Sequence, residues 1–374
     1  MNRTRRGDFM KFDKAGVALL LLALCGARAS AQQLPEPKLT PAPTTQAQTA
    51  AIREGVALHE RGDFDGAIRK YESVLAENSS NVTALYELGY SYYAKKDYKK
   101  ALEVAYRGAG YQSSQLAGFY LLIGNNLDLA GEPDKAIEVY KKAIKLFPKD
   151  GLLHYNLALT YRNKGKIDEA KKSLKAGLAA APEHASSHLM LALIFHQTGY
   201  KAPALLAAAR FLVLEHSSQR SVAALRLVRA VLGGGAAAGS KPNEVSITLD
   251  ANSKKDEGDF TAVETILGLS AALALTEEEK GKTEAQKLVG QLETVLAVLA
   301  EQTGKQRQSA FVQQFYVPYF VELKQKGHVE AFVYHALNSS GLPGVREWTE
   351  ANSGRVMQFL IWSKRYQWPA DAKP

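Results

Sequence analysis

The sequence predicts an all-α chain: a solenoid of about five helix pairs followed by a mostly helical C-terminal region. Three observations carry that expectation. The composition is that of a globular chain, 46% hydrophobic and 23% charged over 374 residues with a single Cys, which excludes wholesale disorder, a collagen-like chain and a disulfide-stapled miniprotein. Small residues recur through the middle of the chain at a nearly constant interval. Beyond residue 260 apolar residues return at helical spacing, with only one strand-like alternation, at Val245, Ile247 and Leu249, ahead of them.

Residues 1–31 are predicted to be a secretory leader and not part of the fold. A basic start with Arg3, Arg5, Arg6 and Lys11 precedes an apolar run from Ala15 to Ala27 and the small residues Ala29-Ser30-Ala31, the order of a signal peptide. The run is too short to cross a bilayer, which takes about 20 apolar residues. Cleavage after Ala31 is expected, giving a periplasmic or secreted protein. The alternative is lipidation at Cys25, where Leu22-Ala23-Leu24 makes an imperfect lipobox because Leu24 stands in place of a small residue. A membrane contact is expected only in that case. Cleavage after Ala31 leaves no cysteine, which removes thiol catalysis, disulfides and thiolate metal sites together. Outside the leader stand 41 basic and 36 acidic residues, a balance of +5 that does not point to nucleic acid. Residues 32–47, polar and rich in proline, are expected as a disordered linker.

The repeat begins at residue 48. A small residue stands at Gly55, Gly89, Gly124, Ala158 and Ala192, at spacings of 34 or 35. Twelve residues beyond each stands an alanine: Ala67, Ala101, Ala136, Ala170 and Ala204. Between them fall Gly62, Gly131, Gly165 and Gly199, with Lys96 as the exception. Each unit therefore predicts two antiparallel helices that meet closely at the small residues and turn at the glycine, where a left-handed backbone costs least. One pair cannot bury its apolar face alone, so the pairs stack.

The stretch from Gly131 through Asp134-Lys135-Ala136-Ile137, Tyr140 and Ala143-Ile144 to Pro148 resembles the second-helix signature of the tetratricopeptide repeat, as does Gly62-Asp63-Phe64-Asp65-Gly66-Ala67-Ile68-Arg69-Lys70-Tyr71. The resemblance covers residues 48–216, with Ala105 and Ala208 replacing the usual second-helix aromatic. Residues 217–232 are expected as a capping helix whose outer face carries Arg220, Arg226 and Arg229. The resemblance implies a concave groove lined by the first helix of each pair, holding an extended or helical peptide. Projected onto this chain, the groove residues are Tyr86, Tyr90, Tyr93, Asn125, Asp128, Tyr155, Asn156, Arg162, Asn163 and His196, with Thr83, Leu121 and Gln197 beside them. Tyr86, Tyr90 and Tyr93 lie four and three residues apart and share one helix face, where tyrosine offers apolar area with a polar tip. The carboxylate clamp of chaperone-binding relatives is incomplete, because Leu121, Ser186 and Met190 occupy the places of its basic residues.

Residues 233–243, rich in Gly and Ala, are expected as a linker and 244–374 as a helical domain. Helical patterns run near 260–275, 284–302, 306–326, 328–337 and 344–366, with Pro318 expected to kink the third. Trp348, Trp362 and Trp368 cluster in the last thirty residues. As core they would be buried; as a sugar-stacking platform, the alternative glycan-binding function, Trp348 or Trp362 would lie exposed in a cleft. A C-terminal hydrolase is the second alternative. No nucleophile elbow, P-loop or dinucleotide fingerprint is present, and neither His184/His188 nor His328/His335 comes with further ligands. The expectation is therefore a non-enzymatic exported scaffold with a protein or peptide partner and no metal or cofactor.

Overall fold

In a computed structural model of the chain, the structure describes residues 33–238, 245–247, 254–276, 279, 281–303, 309–369 and 372. The predicted leader, Cys25 and the Ala31 junction lie outside them. Five antiparallel pairs stack in chain order: α1 (Gln46–Glu60) with α2 (Phe64–Glu77), α3 (Val82–Ala94) with α4 (Tyr98–Ala109), α5 (Leu116–Leu129) with α6 (Pro133–Leu146), α7 (Gly151–Asn163) with α8 (Ile167–Ala180), and α9 (Ala185–Gln197) with α10 (Lys201–Leu214). Helix α11 (Gln219–Gly233) closes the row.

Local chemistry sets the helix starts. Asp63, Asn81, Asp97 and Asp150 accept from backbone N–H groups of the first turns of α2, α3, α4 and α7. Thr45 with Gln48 and Ser218 with Ser221 form reciprocal caps on α1 and α11, satisfying donors that a helix leaves unpaired. Four turns between paired helices are left-handed at glycine, from Gly165 at φ 72° to Gly199 at 86°, and the fifth places Lys96 at φ 66°.

The small-residue columns are where the pairs touch. Ala67, Ala101, Ala136, Ala170 and Ala204 are fully buried. A Cβ added at Gly55 would overlap the Tyr71 ring, and one at Gly124 would overlap that of Tyr140. In the second unit Ala105 replaces the aromatic, and Leu122 of the next unit fills the space, 2.7 Å from where a Gly89 Cβ would stand.

The segment before α1 departs from expectation. Residues 33–44 form an ordered strap, not a disordered linker. Lys38 and Leu39 donate backbone N–H to the Gly110 carbonyl at 3.1 and 3.0 Å, and Gln112 N–H donates to the Leu39 carbonyl at 2.8 Å. Further on, Ala42 N–H reaches Ser80 Oγ at 3.0 Å and Asn81 Nδ2 reaches Thr44 Oγ1 at 3.1 Å. Pro35, Pro37, Pro41 and Pro43 pre-extend this chain, so ordering it costs less conformational entropy than composition alone suggests. Residues 33–36 and 38 of the strap border an open pocket whose other wall is formed by Tyr106, Val139 and Lys142 of α4 and α6.

Beyond α11 a short antiparallel hairpin pairs β1 (Ala236–Ala238) with β2 (Val245–Ile247). The alternating segment thus finds its partner inside the stretch expected as a linker. Among the described residues six helices follow: α12 (Thr261–Leu273), α13 (Glu284–Thr303), α14 (Phe311–Gln325), α15 (Val329–Ala336), α16 (Val345–Ala351) and α17 (Ser353–Arg365). The pattern read as one helix over 344–366 is two, separated at Asn352 with φ −115° and ψ 25°. Pro318 lies inside α14. The three arginines expected on the outer face of α11 differ in their surroundings. Arg226 is exposed, whereas Arg220 pairs with Glu215 and Arg229 turns toward Glu284 of α13 at 2.6 Å.

The C-terminal helices are fastened chiefly to the array's second helices. Lys175 of α8 holds the fully buried Glu257 at 2.6 Å. Arg210 of α10, with no exposed surface, pairs with Glu183 at 2.7 Å, donates to Ser363 at 2.9 Å and lies 4.8 Å from the Trp368 ring. A buried guanidinium costs several kcal/mol unless its donors are met; here Glu183 and Ser363 take its two terminal nitrogens, the Tyr319 and Trp368 rings flank it, and Nε has no partner among the described residues. The tryptophans pack in this region: Trp368 stacks on Tyr319 at 4.9 Å, Trp362 donates to Glu322 at 2.8 Å, and Trp348 stacks on Tyr334 at 3.9 Å.

Candidate ligand-binding groove

The strap is bonded to the chain between helices, at Ser80, Asn81, Gly110 and Gln112, and the C-terminal helices are fastened chiefly to the second helices α8 and α10, with His188 of α9 also held by Tyr316. The first-helix face of the array keeps side chains exposed. Three columns recur on α3, α5, α7 and α9 at the repeat interval: Tyr86, Leu121, Tyr155 and Leu189; Tyr90, Asn125, Leu159 and Leu193; Tyr93, Asp128, Arg162 and His196. The last column extends to α1 at His59.

The N-terminal half of this face is aromatic. Tyr90 stacks between Tyr86 and Tyr93, each at 6.4 Å, and against His59 at 5.2 Å, with ring planes within 6–21° of parallel. Tyr90 is 46% exposed, and Tyr86 and Tyr93 are half-buried. Tyr86 owes its place to Gly118, where an added Cβ would come within 2.6 Å of the Tyr86 ring. Burial raises the Tyr86 and Tyr93 hydroxyl pKa values and lowers that of His59. His59 Nδ1 lies 2.8 Å from Ser91 Oγ, which fixes the ring under Tyr90. Tyr92, one residue from the rail, is buried and donates to Glu72 at 2.9 Å, as its column predicts.

The polar residues projected into the groove divide into two sets. Asn125 accepts from the buried Tyr140 hydroxyl at 2.6 Å, and Asp128 accepts from Thr160 Oγ1 at 3.1 Å; both join neighbouring helices while remaining half-buried. Thr83 accepts from Gln115 Nε2 at 3.0 Å in the same way. Tyr155 and Asn156 are half-buried, the former 5.4 Å from the His184 ring. Arg162, Asn163 and His196 are exposed.

Apolar residues that sequence reasoning passed over complete the face. Leu152 and Leu193 are 44% and 38% exposed on α7 and α9, and Leu159 shares the Tyr90 column. Their signal was available in the column positions, but attention to polar and aromatic side chains hid it. His59 was missed because the first unit carries no tyrosine to mark the rail.

Among the described residues no group of three or more His, Cys, Asp or Glu is placed to hold a metal ion. His188 is engaged at both nitrogens, by Tyr316 OH at 2.7 Å and the Pro182 carbonyl at 2.9 Å. His335 packs 4.0 Å from His216, and both His335 and His328 meet the Phe359 ring at 6.0 Å. No described helix is long and apolar enough to cross a membrane.

Comparison with known proteins identifies tetratricopeptide repeat models over residues 52–114 and 129–194. A TPR repeat-containing protein of Methanocaldococcus jannaschii is 27% identical over 119 residues, 32% of this chain and 21% of that protein. The BBSome complex member BBS4 of Bos taurus is 29% identical over 121 residues, 32% of this chain and 23% of that protein. This chain thus matches less than a quarter of the length of either relative. Among solved structures, a thermophilic TPR protein of Thermus thermophilus aligns at TM-score 0.41 with 24% identity, over 48% of this chain and 98% of that one. YrrB, described as a TPR protein with an unusual peptide-binding site, aligns at TM-score 0.36 with 21% identity, over 47% and 90%.

Proposed function

Because the chain is a tetratricopeptide repeat protein, built on a fold that serves protein–protein interaction, we propose that its first-helix groove holds a peptide segment of an envelope or secreted protein. One observation carries the reading: large apolar and aromatic side chains, Tyr90, Leu152 and Leu193, stay exposed on one continuous face while both terminal extensions fasten at other residues. Contiguous exposed apolar surface rimmed by polar residues marks a contact surface in a soluble protein. Arg162, Asn163 and His196 supply that rim. In this reading the C-terminal helices brace the array, and the protein works by holding a partner, not by catalysis. Export rests on the leader pattern of residues 1–31, whose basic start, short apolar run and Ala29-Ser30-Ala31 motif favour delivery across a membrane.

Affinity capture from an envelope extract tests the reading, with the wild-type protein run beside a variant carrying Tyr86→Ala, Tyr90→Ala and Tyr93→Ala whose helical circular dichroism is intact. A partner retained by the first and lost by the second is the expected result. Equal retention by both would remove the groove from consideration.

A further inference from the structure

The two halves of the groove differ in charge as well as in shape. Two half-buried carboxylates beside the aromatic rail form no ion pair among the described residues, and the exposed Glu60 next to His59 forms none either. Glu87, next to Tyr86 on α3, is half-buried; burial holds its carboxyl above the usual carboxylate range, and its field reaches the hydroxyls of Tyr71 and Tyr86. Asp128, one unit on, acts on Tyr93 and Tyr140 and accepts from the neutral Thr160 hydroxyl. Several other carboxylates of the array are paired with a lysine, Glu54 with Lys70, Asp65 with Lys95, Glu132 with Lys135 and Asp134 with Lys164; what sets Glu87 and Asp128 apart from exposed carboxylates such as Glu60 and Glu77 is that they are half-buried beside the rail. Burial lowers the His59 pKa, which disfavours a charge on the rail's own histidine.

From this arrangement we propose that the rail of His59, Tyr86, Tyr90 and Tyr93, flanked by Glu87 and Asp128, receives a cationic side chain of an extended partner segment. Tyrosine faces present the negative side of the ring quadrupole, which attracts a cation, more strongly when the cation is desolvated. A half-buried carboxylate without a partner costs free energy that an arriving cation offsets. Arginine fits better than lysine, because its planar guanidinium stacks on parallel rings and forks to a carboxylate at once. The proposal rests on the peptide-groove reading and specifies the chemistry of the segment in its N-terminal half. The C-terminal half, with Leu152, Leu159 and Leu193, takes the apolar remainder.

The test uses the purified protein and three capped hexapeptides of one pattern, Gly-Leu-X-Leu-X-Gly, with arginine, citrulline or glutamate at X, titrated calorimetrically. Citrulline keeps the shape of arginine and removes its charge. The arginine peptide is expected to bind at least tenfold more tightly than the citrulline peptide, with an advantage that shrinks in high salt. Glu87→Gln combined with Asp128→Asn is expected to remove most of that advantage, and Tyr90→Ala to weaken binding of the arginine peptide, while Lys99→Ala on a second helix changes neither. Equal affinity for arginine and citrulline peptides, or absence of arginine-peptide binding, overturns the cationic assignment. If citrulline binds as tightly as arginine and Tyr90→Ala still abolishes both, the groove reading stands and only its charge preference falls. Binding of the arginine peptide unaffected by any rail variant places it elsewhere and overturns both.

Discussion

Lys96 is the residue at which the repeat pattern and the chain's own sequence disagree. The other four units turn at glycine, and this one adopts the same left-handed backbone, at φ 66°, with a side chain that disfavours it. For a non-glycine residue that conformation costs about 1–2 kcal/mol, offset in part by the greater freedom glycine has in the unfolded chain. Lys96→Gly is therefore expected to stabilise the protein by roughly 0.5–1 kcal/mol, measured as a shift in denaturant midpoint at constant slope. An unchanged or lowered midpoint would show that the Lys96 side chain contributes enough to outweigh the strain. The position was legible as an exception in sequence, and its φ follows from the turn that its four counterparts share. Less legible were Asn125 and Asp128: their columns are groove columns, yet each accepts from a neighbouring helix, because Tyr140 and Thr160 bury donors within reach.

At the scale of elements, helices with a 34-residue period were readable because small residues at the contacts and glycine at four of the five turns repeat in register. The strap at 33–44 was not, since proline-rich polar chain reads the same whether free or laid against a surface, and its acceptor, the Gly110 carbonyl, lies some seventy residues away. The hairpin was half legible, because three alanines at 236–238 have no alternation to betray a strand. The joint between array and C-terminal helices contains histidines that burial keeps neutral, with the pKa pushed down to about 3 at His188 and about 4 at His335. In the unfolded chain both titrate near 6.5, so the unfolded state takes up protons first as pH falls. Their contribution to stability is complete above about pH 6.5 and is lost progressively from there down toward pH 4. The shift at His335 alone corresponds to about 3 kcal/mol. Denaturation midpoints measured from pH 7 to pH 4 are expected to fall steeply below pH 6.5, and less so in a folded His335→Asn variant. A flat profile would mean that the joint opens to water before the histidines titrate.

For the whole molecule, the array carries two extensions from opposite ends of the chain. Buried Arg210 and Glu257 tie the C-terminal helices down, and the strap is bonded at Ser80, Asn81, Gly110 and Gln112. The first-helix face keeps Tyr90, Leu152 and Leu193 uncovered. The chemistry of that face was legible as tyrosines but not as an aromatic rail followed by leucines, because the column arithmetic places residues without saying which stay exposed. That the first-helix face is the contact surface is tested most directly by site-specific photocrosslinking. A benzophenone amino acid is placed at Tyr90, at Leu193 and, as the second-helix control, at Lys99, and each variant is irradiated in an envelope extract. One partner joined to positions 90 and 193 and absent from position 99 is the expected result. Adducts confined to position 99, or none from 90 and 193, would contradict the assignment of the groove.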